Sequence, residues 1–457
     1  MDLTEKFDAK YIYEHLNQSS SLEGTELTLG GYVKTNRFMG QIGFLSINDG
    51  SCFKNIQVVY TDKNFDAIRL GCTIKATGTL HFTPEAKQPF ELDATSIELI
   101  GDVSDSYPLQ KKKTSFEYLR TIPEWRMKTN TFNAVFRVRS TLAYYIHQYF
   151  HEKGYMWIHT PLITANDCEG EGQVFDVVAD WKHPEEYFGK KNVHLTVSGQ
   201  LHVEPFALTY GKVYTFGPTF RAEKSNTTRH AAEFWMIEPE IAWAHLEDLC
   251  NIEEEFLKYV VSHTIKECNQ DMDFFNAWVD KNLKSRLDEF INKPFRRVKY
   301  EEAIDILQKA VKNGHKFEVS DIKFGLDLGS EHERYLTEEV FKGPIFLTDY
   351  PKEIKAFYMK QNADEKTVGA VDLLVPGIGE LCGGSEREAD YNKLLNRMKE
   401  LNMNVDLYQW YLDLRKNGSI PHSGFGLGFE RLVMLVTGMQ NIRDTLPYPR
   451  CYHDMEF

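Results

Sequence analysis

Y-T-F-G-P-T-F-R-A-E-K-S-N-T-T-R-H-A-A-E-F-W-M-I-E-P-E-I-A-W, residues Tyr214 to Trp243, is the stretch around which the rest of the chain is read. It reads as two strands around a polar loop. The first arm, Tyr214 to Phe220, is aromatic and β-prone and holds Gly217-Pro218; the second, Phe234 to Trp243, alternates apolar residues with carboxylates. Ser225, Asn226, Thr227 and Thr228 between them have the composition of a turn. Arg221, Arg229 and His230 therefore sit at the lips of a hairpin. Guanidinium forks match phosphate oxygens in two-point geometry, so this grouping suits an anionic ligand. A surface hairpin with solvated charges fits the spacing equally well.

Bulk properties bound the answer. A chain of 457 residues suggests two or three domains at a prior of ~150 residues each. With 53 basic against 67 acidic side chains the net charge is −14, which argues against a nonspecific nucleic-acid coat but not against a local basic face. The seven cysteines are scattered without a C-x-x-C pair, as expected of reduced thiols in a cytoplasmic protein. No secretory start is visible at Met1-Asp2-Leu3-Thr4-Glu5, and no apolar run approaches the ~20 residues needed to span a bilayer. Neither a membrane nor DNA is an expected partner.

From Glu26 to Ile100 short alternating strands broken by Asp49-Gly50 suggest a small β-barrel, for which an OB-fold is the natural candidate. The open face of such a barrel commonly binds single-stranded nucleic acid by stacking; Phe38 and Phe44 could equally be core. The expected domains are 1–105 (barrel), 106–128 (basic hinge) and 129–457 (catalytic), with a helical insertion at about 245–340. In the hinge Lys111, Lys112, Lys113, Arg120, Arg126 and Lys128 face only Glu117 and Glu124, a composition suited to phosphate contact. Phe132, Val135, Phe136, Leu142, Ile146 and Phe150 then recur at helical spacing, followed by a strand pattern from Tyr155 to Thr164 that contains Pro161. S-E-H-E-R-Y lacks the H-E-x-x-H spacing of a zinc protease, and no Walker or dinucleotide glycine motif is present.

F-R-A-E, a loop, then R-H-x-x-E-F resembles motif 2 of the class II aminoacyl-tRNA synthetases, in the branch that activates aspartate, asparagine and lysine. The longer string F-G-P-T-F-R-A-E-x-S-N-T-x-R-H-x-A-E-F-W-M resembles the asparaginyl enzymes of that branch. The resemblance covers essentially the whole chain. It implies an α+β fold: an N-terminal OB-fold barrel, then a catalytic antiparallel sheet flanked by helices. In the family the motif 2 arginine, here Arg221, holds the α-phosphate of ATP and the amino-acid carboxylate. His230 meets the outer phosphates, Phe234 stacks on adenine, and Glu223 and Arg229 belong to the same ATP set. P-H-S-G-F-G-L-G-F-E-R is similar to motif 3, whose arginine, here Arg431, covers the other adenine face and touches the γ-phosphate. Glycines 424, 426 and 428 would let backbone approach the nucleotide.

V-D-L-L-V-P-G-I-G-E-L-C-G-G-S-E-R is similar to the family strand whose carboxylate holds magnesium, which implies Glu380, with Asp372 as a weaker second ligand of Mg2+. Arg387 matches the arginine that meets the substrate side chain, although Glu386 and Cys382 stand where glutamine and an aliphatic residue are expected. The pocket loops place Glu169 against the ammonium group and Ser198 and Gln200 at the backbone end. Aspartyl members carry S-P-Q-L-x-K where this chain has S-G-Q-L-H-V, so Val203 occupies the lysine position. The resemblance therefore implies selection of the amide, with Arg387 donating to its oxygen and Glu223 accepting from its NH2. In the barrel, Phe44 and Gln57 match the residues that stack on and read the central anticodon base, with Arg37 and Lys34 as backbone contacts. The segment 131–164 resembles motif 1, the homodimer interface. What is implied is a ligase that joins L-asparagine to tRNA(Asn) through an adenylate, at the expense of ATP. An aspartyl enzyme of relaxed tRNA choice and a synthetase-like RNA-binding protein without catalysis are the alternatives.

Overall fold

The computed structural model describes residues 8–16, 22–86, 88–112, 114–168 and 173–455. The chain forms two compact units, Met1–Ala134 and Val135–Phe457.

In the first unit five strands close into a barrel in the order β1-β2-β3-β5-β4: β1 (Glu26–Met39), β2 (Ile42–Asn48), β3 (Ile56–Tyr60), β4 (Thr73–Phe82) and β5 (Phe90–Gly101). Alternation decides which side chains go inside. Leu45 and Ile47 of β2 and Ile56 and Val58 of β3 are fully buried, while Phe44, Ser46, Gln57 and Val59 between them point outward. Gly43 is required where it stands, because a Cβ there would lie 2.0 Å from the Tyr60 ring. The hinge packs as part of this unit. Arg126 is buried with its guanidinium 4.4 Å from the Phe132 ring centroid. The Lys128 ammonium sits among the rings of Tyr32, Tyr107 and Trp125 at 5.3–5.7 Å. Two of the six expected phosphate-binding cations are thus spent on internal packing.

The second unit is built on an eight-stranded sheet in the order β11-β12-β13-β14-β15-β10-β9-β6. Its strands are β6 (Met156–Trp157), β9 (Lys212–Phe220), β10 (Glu233–Ala242), β11 (Arg296–Lys299), β12 (Ile345–Pro351), β13 (Thr367–Val375), β14 (Gly379–Glu386) and β15 (His422–Gly428). Pairing is antiparallel except at the edges, where β11 runs parallel to β12 and β6 parallel to β9. The expected hairpin is β9–β10, in register from Glu233 opposite Phe220 to Ile241 opposite Lys212.

The strand expected over Tyr155–Thr164 is instead split. Met156–Trp157 joins the large sheet, and β7 (Ile163–Thr164) pairs with β8 (His194–Leu195) in a small one. Pro161 between them has no N–H to donate to a ladder. The insertion is mostly helical, with long helices at Leu246–Glu267 and Tyr300–Lys312, but it also contributes β11, a four-residue strand too short to show a period. Among the described residues no helix is long and apolar enough to cross a membrane.

Candidate active site

Two adjoining cavities open on one face of the large sheet. The larger, about 560 Å3, is lined by Ser198, Gln200, Arg221, Glu223, Glu238, Lys355, Asp372, Glu380 and Arg387, among others. The smaller, about 120 Å3, is lined by Arg229, His230, Phe234, Gly428 and Arg431. Arg221, Glu223, Met236, Glu380 and Gly426 line both, so they form the common wall.

The β10 period explains the arrangement. Phe234, Met236, Glu238 and Glu240 alternate along one face of the strand, and β9 and β15 flank it. Arg221 follows β9 and lies with its guanidinium 5.5 Å from the Phe234 ring centroid. His230 is held by Thr227 Oγ1 at 2.5 Å and Ser225 Oγ at 3.2 Å. Burial lowers its pKa below the ordinary histidine value, and Arg431, Arg221 and Arg229 push the same way against Glu223. Arg431 donates to the Glu380 carbonyl at 2.6 Å and lies 3.8 Å from its carboxylate. Three arginines, Arg221, Arg229 and Arg431, concentrate positive potential in the smaller cavity, which suits polyphosphate, while His230 favours its neutral form beside them.

At the other end, Arg387 is 3 % exposed. Its Nε lies 3.2 Å from Glu240 Oε1, its Nη2 bonds the same oxygen, and its Nη1 donates to Ser385 Oγ at 2.8 Å. Beneath it, Glu204 accepts from Arg415 at 2.6 Å, Tyr411 at 2.7 Å, His422 at 2.9 Å and Gln200 at 3.1 Å. Burial alone would raise the Glu204 carboxyl, but Arg415 and His422 hold it below the ordinary carboxylate range. Glu204, Glu240 and His422 also converge within metal-ligand reach of one another. Arg415 and Arg387 already supply the compensating cations there, so this is a packed ionic network rather than a metal site.

Glu380 Oε1 and Asp372 Oδ1 come within 2.9 and 3.3 Å of the point a Cβ on Gly383 would occupy. The glycine leaves a cradle walled by hard oxygen donors, a set that fits a magnesium ion. Asp372 is only half available, because its Oδ2 accepts from Lys355 Nζ at 2.6 Å.

Several expectations change. Val203 does not line the cavities: it is fully buried with Ile158, Ala207 and Val213 on the core side of the helix Gln200–Tyr210. Gly424 serves packing rather than nucleotide approach, since a Cβ there would lie 2.1 Å from the Glu240 carboxylate; Gly426 and Gly428 do line the smaller cavity. Glu386 adds no charge beside Arg387's partners. It turns to His245 at 2.8 Å and Lys360 at 2.6 Å. Ser198 gives its hydroxyl to Glu238, which also accepts the Gly199 N–H at 2.8 Å. Glu169 lies outside the described residues.

The sequence reading missed Glu238, Glu240 and Lys355. Glu238 and Glu240 had a signal, two carboxylates at period two inside a strand otherwise apolar enough to be buried. Lys355, one lysine in P-K-E-I-K-A-F-Y, had none.

On the barrel, the register sets Arg37 opposite Phe44 and Phe44 opposite Val59, with the row Thr35, Ser46, Gln57 and Glu91 beside it. Arg37 is exposed and Phe44 half-buried, and Phe44 is outside the barrel core that Phe38 packs against. Gln57 Nε2 donates to Glu91 at 3.1 Å. Lys34 is not free for a phosphate. It donates to the Lys128 carbonyl at 2.7 Å, and burial lowers its pKa to about 8.

Residues 119–452 match the family of class II tRNA synthetases (D, K and N), and residues 27–100 match the OB-fold nucleic acid binding domain. The asparagine–tRNA ligase of Clostridium beijerinckii is 54% identical over 449 residues, 94% of this chain and 96% of that protein. That of Acetivibrio thermocellus is 52% identical over 451 residues, 95% and 96% of the two chains. Among solved structures, asparaginyl-tRNA synthetase from Pyrococcus horikoshii complexed with asparaginyl-adenylate superposes with a TM-score of 0.86 at 34% identity, covering 99% of both chains. With its barrel, its antiparallel catalytic sheet and its paired cavities, the chain belongs to the class II tRNA synthetases and, within them, to the family of the asparagine–tRNA ligases.

Proposed function

We propose that this chain activates L-asparagine with ATP to asparaginyl-adenylate and pyrophosphate, then transfers asparagine to the 3′ end of tRNA(Asn). The observation that carries the reading is the shared wall: Arg221 borders both a cavity of amino-acid character and a smaller cationic one. Adenylation needs no general base, because the amino-acid carboxylate is already ionised and attacks the α-phosphorus as the bond to pyrophosphate breaks. The protein must align two anions and stabilise the departing charge. Arg221 sits where carboxylate and α-phosphate meet. Arg229, His230 and Arg431 face the outer phosphates, Phe234 and Arg431 offer surfaces for adenine, and Gly428 leaves room beside them. Glu380 with Asp372 would hold Mg2+, which offsets phosphate charge when bound. Ser198 and Gln200 border the backbone end of the amino acid, where Glu169 is assigned by resemblance, and Arg387 and Glu223 are matched to the amide.

On the barrel, Phe44, Gln57 and Arg37 form an outward patch suited to stacking on and reading an anticodon base. We assign 1–105 to anticodon binding, 106–128 to the hinge and 129–457 to catalysis. A homodimer through 131–164 is supported by exposed Tyr144, Met156, Trp157 and Ile163 around an edge strand. Seven buried cysteines, present as thiols, suit the reducing cytoplasm.

The testing experiment is ATP–pyrophosphate exchange with each of the twenty amino acids. Exchange should depend on asparagine, and aspartate supporting it equally would move the activity to the aspartyl alternative.

A further inference from the structure

The segment Ser330–Val340 lies in the part of the chain to which the sequence assigns no chemistry. Its second half, Tyr335–Val340, is a π-helical turn, a rare form that concentrates at functional sites. Two carboxylates from this segment meet the turn between β13 and β14. Glu338 Oε1 accepts the Gly377 N–H at 3.0 Å. Glu333 Oε2 and Arg229 Nη1 each come within 2.8 Å of the point a Cβ on Gly379 would occupy, so the two charges flank that glycine. Gly379 has φ +80°, so its own backbone also resists a side chain. Arg229 reaches the Gly377 carbonyl at 3.5 Å, and Arg431 bonds the carbonyl of Glu380. The turn that presents Glu380 is therefore gripped from three elements at once.

We propose that Glu333 is a positioning residue for Arg229 and that Glu338 fixes the turn presenting Glu380, which makes this segment part of the nucleotide site. The inference rests on the ATP-site reading above. Arg229 and Arg431 are like charges lining one small cavity; burial first and then Arg431 disfavour the charged form of Arg229, and Glu333 favours it. A counter-charge keeps Arg229 from turning out to solvent before ATP arrives. Glu333 supplies it without occupying ligand space, because it lines neither cavity.

Kinetics of pyrophosphate exchange at pH 8 test this. Glu333→Gln keeps the shape and removes the charge, and should raise the KM for ATP about tenfold while the KM for asparagine stays within about twofold, the size of a coupling between neighbouring charges. Glu333→Asp should recover most of the loss. In an Arg229→Ala background Glu333→Gln should add nothing further. Glu338→Ala should also raise the KM for ATP, and Glu338→Gln, whose amide oxygen still accepts an N–H, should not. Thermal melts of every variant confirm that each is folded. A normal Glu333→Gln beside a defective Arg229→Ala overturns the inference alone, as do additive effects in the double variant or equal shifts in both KM values. An unchanged KM for ATP in Arg229→Ala overturns the ATP-site reading and the inference with it.

Discussion

Lys355 and Asp372 form a 2.6 Å ion pair in the wall of the larger cavity, and the aspartate's other oxygen turns toward Gly383, where Glu380 also arrives. Burial works against the lysine's charge, but Asp372 and then Glu380 hold its pKa above the ordinary lysine value. Lys355→Met should therefore cost about 3–5 kcal/mol of stability, the effect of leaving a buried carboxylate without its cation. Adding Asp372→Asn should return much of it. Chemical denaturation of the single and double variants decides: equal stabilities would mean the pair is not what holds the wall.

Arg221→Ala and Arg431→Ala should each lower asparagine-dependent pyrophosphate exchange by ~10²-fold or more, the usual effect of losing one preorganised charge donor. Both arginines line a cavity rather than the core, so melting temperatures should stay close to the parent's. Near-normal exchange in either folded variant removes that arginine from the site.

Phe44→Ala and Gln57→Ala should leave pyrophosphate exchange intact and weaken tRNA charging. Loss of one base stack is worth about 1–3 kcal/mol, which appears in the KM for tRNA. If both half-reactions fall together, the barrel patch is structural.

Glu253 is buried, and neither of its oxygens finds a hydrogen-bond partner among the described residues. Burial pushes its pKa well above the ordinary carboxylate value, and Asp372 adds to the rise. Because the folded value is the raised one, the folded chain holds a proton that the unfolded chain releases. Its contribution to stability is fully present below the unfolded pKa and is lost as pH rises toward the folded one. Glu253→Gln should thus stabilise the protein at neutral pH and little at pH 4. Its advantage should grow by ~1.4 kcal/mol per pH unit between those limits. A pH-independent difference between the two proteins would show that Glu253 is ionised in the fold.

Val203→Lys is a test of stability and not of specificity. Its side chain is enclosed by Ile158, Ala207 and Val213, so an ammonium there has no partner and should cost several kcal/mol. A stable variant with altered amino-acid preference would return Val203 to the substrate pocket.

The chain itself determined the barrel, the hairpin that organises the site and the arginines at its lips. Those features follow from local periodicity and turn chemistry, which need no distant partner: the Phe234–Glu240 alternation places four side chains on one face in any strand. Motif resemblance extended this to Glu380 and Arg387. Tertiary structure alone decided which charges are free. Lys34 and Arg126 look like phosphate-binding cations in sequence, yet the first is bonded to a carbonyl and the second is packed on an aromatic ring. Lys355, just after β12, and Glu333, on the helical segment Ser330–Val340, carry no local signal and reach the site only because segments far apart in the chain pack together. A side chain's charge is written in the sequence; its partner depends on which segments the hydrophobic core brings together, and burial then sets whether that charge can be spared for a ligand.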